Sequence, residues 1–201
     1  MQDPTTFWNA RYSETGFAYG TTPNDFVVEV AGRIPEGPVL CLAEGEGRNA
    51  VYLAGLGHGV TAMDLSTIGL EKAQALAKER GVELTTLAAD LSTYVIEEGC
   101  WSAVVCIWMH LPKPLRAQVI AAAARGLRRG GVLIVEFYSP AQLAYNTGGP
   151  RELGLLVAPE DLREELAGLA LDVFEETERE IHEGPYHEGK SAVVRAVARR
   201  V

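Results

Sequence analysis

The sequence of 201 residues lacks the features that mark fibrous, disordered, membrane-spanning and disulfide-rich proteins. It has only three cysteines, and because two of them, Cys41 and Cys106, stand inside apolar runs, we expect reduced, buried thiols. It contains no internal repeat, no low-complexity segment, and no apolar run of the roughly 20 residues that a membrane span needs. The opening residues lack the basic and apolar regions of a secretion signal, so we expect a cytoplasmic protein.

Positive charge is also scarce, since 18 Lys and Arg stand against 27 Asp and Glu, giving a net charge of −9. Nucleic acids and anionic membrane surfaces are bound through clustered Lys and Arg, so we expect neither as a partner. Hydrophobic residues make up 47% of the chain and charged residues 22%. This composition is typical of a globular domain, and no linker divides the chain, so we predict one domain over residues 1–201.

Short apolar runs alternate with helical patterns along most of the chain. The runs predicted to be strands are 39–43, 60–63, 84–88, 103–108 and 132–138, and helical patterns include 66–81, 114–127 and 160–166. This alternation predicts a mainly parallel sheet covered by helices on both faces, which is a three-layer, doubly wound α/β fold. Two further β-like runs, at about 171–181 and 191–201, are joined by a Gly/Pro-rich turn. They predict a C-terminal hairpin, so we expect about seven strands with the last one antiparallel.

The segment 1–36 contains no predicted strand but is rich in aromatic side chains, among them Trp8, Tyr12 and Tyr19. We expect this cover segment to pack over the edge of the sheet where a ligand binds. Residues 37–158 are predicted to form the cofactor-binding core, and residues 159–201 the C-terminal helix and hairpin.

Ligand-binding signals follow the first three predicted strands. After the first strand, Gly45 and Gly47 precede a helix, and glycines there let the chain turn sharply and a ligand approach the backbone. Asp64 ends the second strand and Asp90 follows the third. Carboxylates at these positions can accept hydrogen bonds from ribose hydroxyls and from an adenine amine. Because the carboxyl ends of parallel strands share one edge, these sites predict a crevice for an adenine nucleoside.

Two other nucleotide-binding patterns are present but less well supported. Gly45-x-Gly47-x-x-Ala50 fits the dinucleotide fingerprint, and Tyr186-x-x-x-Lys190 has the spacing of a reductase catalytic pair, although its spacer reads as a turn. An NAD(P)-binding oxidoreductase is therefore an alternative. The run 184–191 satisfies the P-loop expression, but strand-like residues rather than a helix follow it, so we interpret it as a hairpin loop.

Histidines occur at two places where they can meet a ligand. His110 follows the buried fourth strand and precedes Pro112, which puts it at the carboxyl edge of the sheet. There it can act as a general base, orient an acceptor, or simply cap the strand end. His182 and His187 flank the hairpin turn without a supporting thiolate or carboxylate framework, so we predict no metal.

Taken together, these residues resemble the small class I methyltransferases that use S-adenosylmethionine, and within them the tellurite-resistance and thiopurine methyltransferase-like branch. The resemblance extends over about residues 7–200 and rests on the runs 7–12, 19–26, 45–54, 145–150 and 186–190. It implies a Rossmann-like fold and S-adenosyl-L-methionine as the cofactor.

The resemblance also implies roles for individual residues. The implied cofactor-binding residues are Arg11, Tyr19, Ala43, Glu44, Gly45, Gly47, Asn49, Asp64, Leu65, Asp90, Leu91, Ile107 and Trp108. Among them, Asp64 would hold the ribose hydroxyls, Arg11 would suit the methionine carboxylate, and Trp108 would lie under the sulfonium. The candidates near the methyl acceptor are His110, Tyr186, His187 and Arg151.

The cofactor loop departs from the common family pattern Asp-Leu-Gly-x-Gly-x-Gly, because this chain reads Cys41-Leu-Ala-Glu-Gly-Glu-Gly47. Cys41 stands in place of the acidic residue and Ala43 in place of the first glycine. We hypothesise that Glu44 takes over the carboxylate contact to the cofactor amine. On that hypothesis, Glu44→Ala weakens cofactor binding and leaves the fold intact.

The sequence therefore predicts methyl transfer from S-adenosylmethionine to a small-molecule acceptor, with a thiol and a metalloid as the candidates. Such acceptors need little help from a base, unlike oxygen or nitrogen acceptors. A module that binds S-adenosylmethionine without catalysis is another alternative. A module should have its acceptor pocket filled by bulky side chains, whereas an enzyme should have an open cavity there. The sequence does not indicate an oligomeric state.

Overall fold

A single seven-stranded sheet runs through the molecule in a computed structural model that describes residues 3–201. Its strands are β1 (Val39–Leu42), β2 (Val60–Asp64), β3 (Thr85–Ala88), β4 (Trp101–Ile107), β5 (Leu127–Tyr138), β6 (Ala170–His182) and β7 (Glu188–Arg199). The α-helices are α1 (Pro4–Tyr12), α2 (Asp25–Val30), α3 (Arg48–Gly55), α4 (Thr67–Arg80), α5 (Lys113–Gly126) and α6 (Pro159–Glu165). Short 3-10 turns occur at Ala31–Arg33, Pro140–Ala144 and Leu153–Leu155.

The strand order is β3-β2-β1-β4-β5-β7-β6, which confirms the predicted doubly wound, Rossmann-like fold class. Strands β1 to β5 pair in parallel, and β7 lies antiparallel between β5 and β6. The winding direction reverses between β1 and β4, and in open α/β sheets ligands bind outside the carboxyl ends of the strands at such a point.

The sheet centre is apolar on both faces, as a parallel sheet sandwiched between helix layers requires. Along β1, Leu40 and Leu42 belong to a cluster that includes residues of α5, whereas Val39 and Cys41 belong to one that includes residues of α3. Cys41 and Cys106 are free and buried, and burial raises the pKa of both thiols.

The start of β5 corrects one sequence prediction. The strand was predicted to start at residue 132, but it begins at Leu127, directly after α5. A side chain on Gly131 would lie 2.9 Å from the Trp101 carbonyl oxygen. The missing side chain lets the chain run on beside β4, where the pairing is irregular between Trp101 and Ala103.

The cover segment is attached to the carboxyl edge of the sheet by buried hydrogen bonds. The Ala18 amide donates to Glu46 at 2.7 Å, and the Asn24 amide donates to the Asn49 side chain at 2.9 Å. Residues 1 and 2 of the predicted cover segment lie outside the described residues. In the part of the chain that the structure describes, no helix has the length and apolar character needed to cross a bilayer.

Candidate active site

A cavity of about 480 Å³ lies between the carboxyl ends of the strands and the cover segment. Its floor comes from residues that follow β1, β2, β3 and β4, and Trp8, Tyr12 and Tyr19 line it from the cover segment. His187, from the hairpin loop between β6 and β7, lines another part of the wall. The volume lies within the range of about 300–1,000 Å³ that is typical of small-molecule sites.

The structure brings most of the predicted site residues to this cavity. The residues that line it are Tyr19, Ala43, Glu44, Asn49, Asp64, Leu65, Asp90, Leu91, Ile107, Trp108, His110 and His187. The predicted residues that do not line it are Arg11, Gly45, Gly47, Arg151 and Tyr186.

Glu44 closes the turn between β1 and α3. Ala43 has a left-handed backbone with a φ of 51°, and this directs the chain sharply into the loop. One Glu44 carboxylate oxygen, Oε1, accepts from the backbone amides of Asn49 at 2.9 Å and Ala50 at 2.8 Å. Burial raises the pKa of Glu44 to about 7, although these two amides oppose the shift. Glu44 is thus a side-chain cap for α3, a role that the sequence analysis missed.

Asp64 ties the end of β2 to the loop after β1. Its Oδ2 accepts from the Gly45 amide at 2.8 Å, and its Oδ1 accepts from the Ser66 amide at 2.8 Å. Burial raises the pKa of Asp64, and the backbone amides work against that shift. Each carboxylate oxygen can accept a second hydrogen bond, so capacity for ligand hydroxyls is left. Asp90 is more exposed, and its Oδ1 accepts from the Ser92 amide at 2.8 Å.

The two loop glycines leave room for protein atoms that pack against them. A side chain on Gly45 would lie 2.4 Å from the Tyr12 hydroxyl oxygen. Gly47 has a φ of 88°, and a side chain there would lie 2.5 Å from the Cβ of Ala73 on α4. Gly45 therefore lets the cover segment approach, and Gly47 lets α3 and α4 pack together.

His110 and Trp108 form a stacked aromatic wall with Tyr138 behind them. The ring centroids of Trp108 and Tyr138 are 4.3 Å apart, and those of His110 and Tyr138 are 5.6 Å apart. Both ring nitrogens of His110 are buried without a hydrogen-bond partner, so His110 does not cap the strand end. Burial, together with the nearby His187, lowers the pKa of His110 to about 3. His110 is therefore a neutral imidazole near pH 7.

His187 faces the same end of the cavity from the hairpin loop. Its ring centroid lies 4.6 Å from that of Tyr19 and 5.3 Å from that of Trp108. Burial lowers the pKa of His187, although the Glu183 carboxylate opposes the shift. The acceptor end of the cavity thus carries two neutral imidazoles from distant parts of the chain.

Glu183 is a buried carboxylate that the sequence analysis missed. Its Oε2 accepts from Trp108 Nε1 at 2.7 Å and from Arg48 Nη2 at 2.6 Å, and its Oε1 accepts from Asn24 Nδ2 at 2.8 Å. Burial alone would raise the pKa of Glu183, but His187 and the Arg48 guanidinium hold it well below its usual range. No pattern in the sequence distinguishes Glu183 from the other acidic residues of the hairpin, because its partners are remote along the chain.

Three of the five predicted residues outside the cavity wall, Arg11, Tyr186 and Arg151, have contacts elsewhere. The Arg11 guanidinium donates to the Tyr19 hydroxyl at 3.2 Å and lies 3.6 Å from the centroid of the Tyr186 ring. The Tyr186 hydroxyl donates to Glu14 at 2.7 Å. Arg151 is exposed and donates to a backbone carbonyl of a neighbouring loop at 2.9 Å. Neither Tyr186 nor Arg151 lines the cavity, and the Tyr186 hydroxyl is bonded to Glu14 instead.

The alternative nucleotide motifs do not have the structure that their chemistry needs. Tyr186 lies in the hairpin loop and Lys190 in β7, where it pairs with Glu178 at 2.7 Å. They do not share a helix face, as a reductase pair would. The P-loop-like run 184–191 leads into β7 rather than a helix, as predicted.

Among residues 3–201, no group of three or more His, Cys, Asp or Glu side chains is arranged to hold a metal ion.

Comparisons with known proteins agree with this geometry. Residues 39–131 match the sequence profile of a family described as a methyltransferase domain. A comparison with curated protein sequences finds no significant match.

Solved structures share the fold at low sequence identity. A protein described in work on the conversion of a disulfide bond into a thioacetal group during echinomycin biosynthesis has a TM-score of 0.80 at 20% identity, covering 98% of this chain and 93% of that one. TehB from Haemophilus influenzae has a TM-score of 0.74 at 20% identity, covering 98% of this chain and 67% of that one. Magnesium protoporphyrin IX methyltransferase from Synechocystis PCC 6803, with bound S-adenosylmethionine, has a TM-score of 0.67 at 21% identity, covering 100% of this chain and 99% of that one.

A doubly wound sheet with a nucleoside crevice at its carboxyl edge is typical of class I methyltransferases. The fold and the cavity of this protein have both features. Residues 39–131 carry a methyltransferase domain, which agrees with the predicted enzyme type, an S-adenosylmethionine-dependent methyltransferase, and with the predicted cofactor. The residues present fit that cofactor, because Asp64 and Asp90 present carboxylate oxygens at neighbouring strand ends beside a cavity of suitable volume.

Proposed function

We propose that this enzyme methylates a small molecule that binds at the end of the cavity formed by Trp108, His110 and His187. The observation that carries the proposal is the open space beside these side chains, because a module that only binds the cofactor would have this region filled. The cover segment and the hairpin loop wall the space in, which favours a small acceptor over a polymer.

The remaining cavity residues are proposed to hold the cofactor. Asp64 would accept from the ribose hydroxyls and Asp90 from the adenine amine, with the apolar side chains of Leu65 and Leu91 against the adenine ring. Bound S-adenosylmethionine supplies a methyl group on a positively charged sulfur. The enzyme's own contribution is to align the acceptor with that methyl group and to exclude water.

We propose a thiol or a metalloid as the acceptor, because residues 3–201 place no strong base at the acceptor end. His110 and His187 both have lowered pKa values, so they serve better as hydrogen-bonding partners than as proton acceptors. An acceptor that is nucleophilic without much help from a base suits such a site. The protein from echinomycin biosynthesis that shares this fold was described in work on converting a disulfide bond into a thioacetal group, which is also sulfur chemistry.

A panel of acceptors tests this proposal. The purified enzyme and S-adenosylmethionine are mixed with aromatic and aliphatic thiols, selenite, tellurite, a catechol and an amine, and S-adenosylhomocysteine is quantified by mass spectrometry. We expect turnover with a thiol or a metalloid and none with the catechol or the amine. Turnover restricted to an oxygen or nitrogen acceptor would contradict the proposed acceptor class.

Isothermal titration calorimetry tests the proposed cofactor-binding site independently of the acceptor. We expect S-adenosylhomocysteine to bind while NAD and ATP do not, and Asp64→Asn to weaken binding by about tenfold or more because a hydrogen bond to a charged group is lost. Asp161→Asn is the matched control, because Asp161 lies on α6 and pairs with Lys113 away from the cavity. Equal affinities in the two variants would count against the role of Asp64.

A further inference from the structure

Glu183 joins three separate parts of the molecule through one carboxylate. Trp108 follows β4 in the cavity wall, Arg48 begins α3, and Asn24 caps α2 in the cover segment. All three donate to Glu183, which follows β6 at the start of the hairpin loop. Glu183 is only 5% exposed, so water does not compete for these bonds.

The Trp108 side chain needs such a partner because its backbone is unfavourable. Its φ is 58°, in the left-handed region that bulky residues rarely adopt. A conformation of this kind persists only where the surrounding structure holds it. On one side Trp108 stacks on Tyr138, and at its indole nitrogen it donates to Glu183 at 2.7 Å. The stacked ring fixes the plane of the indole, and the carboxylate fixes its rotation within that plane.

We infer that Glu183 is a positioning residue for methyl transfer, acting through Trp108 to set the shape of the acceptor end of the cavity. The inference rests on the proposed function and deepens it, since it names the group that aligns the acceptor wall. Arg48 binds the same Glu183 oxygen, so the wall is also tied to the helix that follows the cofactor loop. The hairpin loop thereby couples the acceptor half of the site to the cofactor half.

The indole nitrogen provides a readout that does not depend on turnover. The chain has three tryptophans, and the Trp108 indole N–H resonance is assigned by its disappearance from the ¹H–¹⁵N spectrum of Trp108→Phe. A hydrogen bond to an ionised carboxylate should move this proton downfield, and Glu183→Gln should move it back toward the position of a neutral partner. An indole resonance that is unchanged in Glu183→Gln would refute the bond itself.

Kinetics then test positioning against a purely structural role. We expect Glu183→Gln to lower kcat by about 10- to 100-fold and to raise the KM for the acceptor, because small misplacements of a reacting group have effects of this size. The Kd for S-adenosylhomocysteine should change by less than about threefold, because Glu183 does not line the cavity where the cofactor is proposed to bind.

Glu136→Gln is the matched control. Glu136 is another buried carboxylate of the same network, bound by Arg179 Nη2 at 2.6 Å, but its side chain makes no hydrogen bond to Trp108. We expect this variant to lose stability while it keeps the Trp108 resonance and kcat within about twofold of the wild type. Equal losses of kcat in both variants would show that Glu183 only stabilises the fold, and would overturn the inference.

If Glu183→Gln does not fold, Trp108→Phe tests the same hydrogen bond, because it keeps a smaller aromatic ring and removes the indole N–H donor. A folded Trp108→Phe enzyme with wild-type kcat and KM would overturn the inference. Failure to find any acceptor would instead count against the proposed function, and the indole resonance would still decide whether Glu183 holds Trp108.

Discussion

At the scale of single residues, Glu44 has both a structural and a proposed binding role. It caps α3 through two backbone amides, and one carboxylate oxygen takes no part in those bonds. Glu44→Ala therefore removes this helix cap together with the proposed cofactor contact. Losing a helix cap typically costs about 1 kcal/mol, so this variant should lose stability as well as cofactor affinity.

The raised pKa of Glu44 predicts a pH effect on stability. Because the folded-state pKa is about 7, above the ordinary 4.5, the protonated carboxyl stabilises the ligand-free fold below about pH 4.5. This contribution is lost as the pH rises through 7. Glu44→Gln stays neutral and keeps one acceptor oxygen. Its free energy of unfolding in urea should therefore rise relative to that of the wild type between about pH 5 and pH 8. The exposed Glu152→Gln is the control, and an equal gain in that variant would contradict the assignment.

At the scale of elements, Gly47 fixes the contact between α3 and α4. It has a left-handed backbone, and a side chain would overlap Ala73. We expect Gly47→Ala to destabilise the fold by about 1–3 kcal/mol through strain and overpacking, measured by urea unfolding. Gly55→Ala is the control at the other end of α3, where nothing lies within 4 Å, and it should be neutral or stabilising. A Gly47→Ala variant as stable as Gly55→Ala would show that the packing adjusts.

Sequence reasoning predicted correctly the elements that depend on their own local sequence pattern rather than on contacts with distant residues. β1 and β4 are short apolar runs with clear boundaries, so both strands and the crevice at their ends followed from the pattern. β5 starts earlier than predicted because Gly131 lies against a neighbouring strand, which only the assembled sheet reveals. Glu183 could not be recognised for the same reason, because its partners Arg48 and Trp108 are 135 and 75 residues away in sequence.

At the scale of the whole molecule, the cavity is enclosed by segments from the two ends of the fold. The Arg11 guanidinium lies over the Tyr186 ring, and a side chain on Gly184 would lie 2.6 Å from the Gly20 amide nitrogen. The cover segment and the hairpin loop are therefore in direct contact. A ligand in the cavity should stabilise both of them together.

Hydrogen exchange tests this coupling. S-adenosylhomocysteine at about 100 times its Kd should slow exchange in α1 and in residues 183–187 together, by up to about 100-fold where these regions open to release ligand. Helix α6 is the internal control, because none of its residues lines the cavity. Protection of α1 without protection of residues 183–187 would show that the two segments move independently.

The insertion of β7 between β5 and β6 has a consequence for synthesis of the protein on the ribosome. The five parallel strands leave the exit tunnel before residues 188–199 do, so the pairing edge of β5 stays open during that interval. Val132 to Tyr138 on that strand are apolar apart from Glu136, and an open apolar edge readily recruits other chains. A nascent chain stalled before β7 should therefore depend on chaperones, and added cofactor should not rescue it, because His187 and the strand that anchors it arrive last.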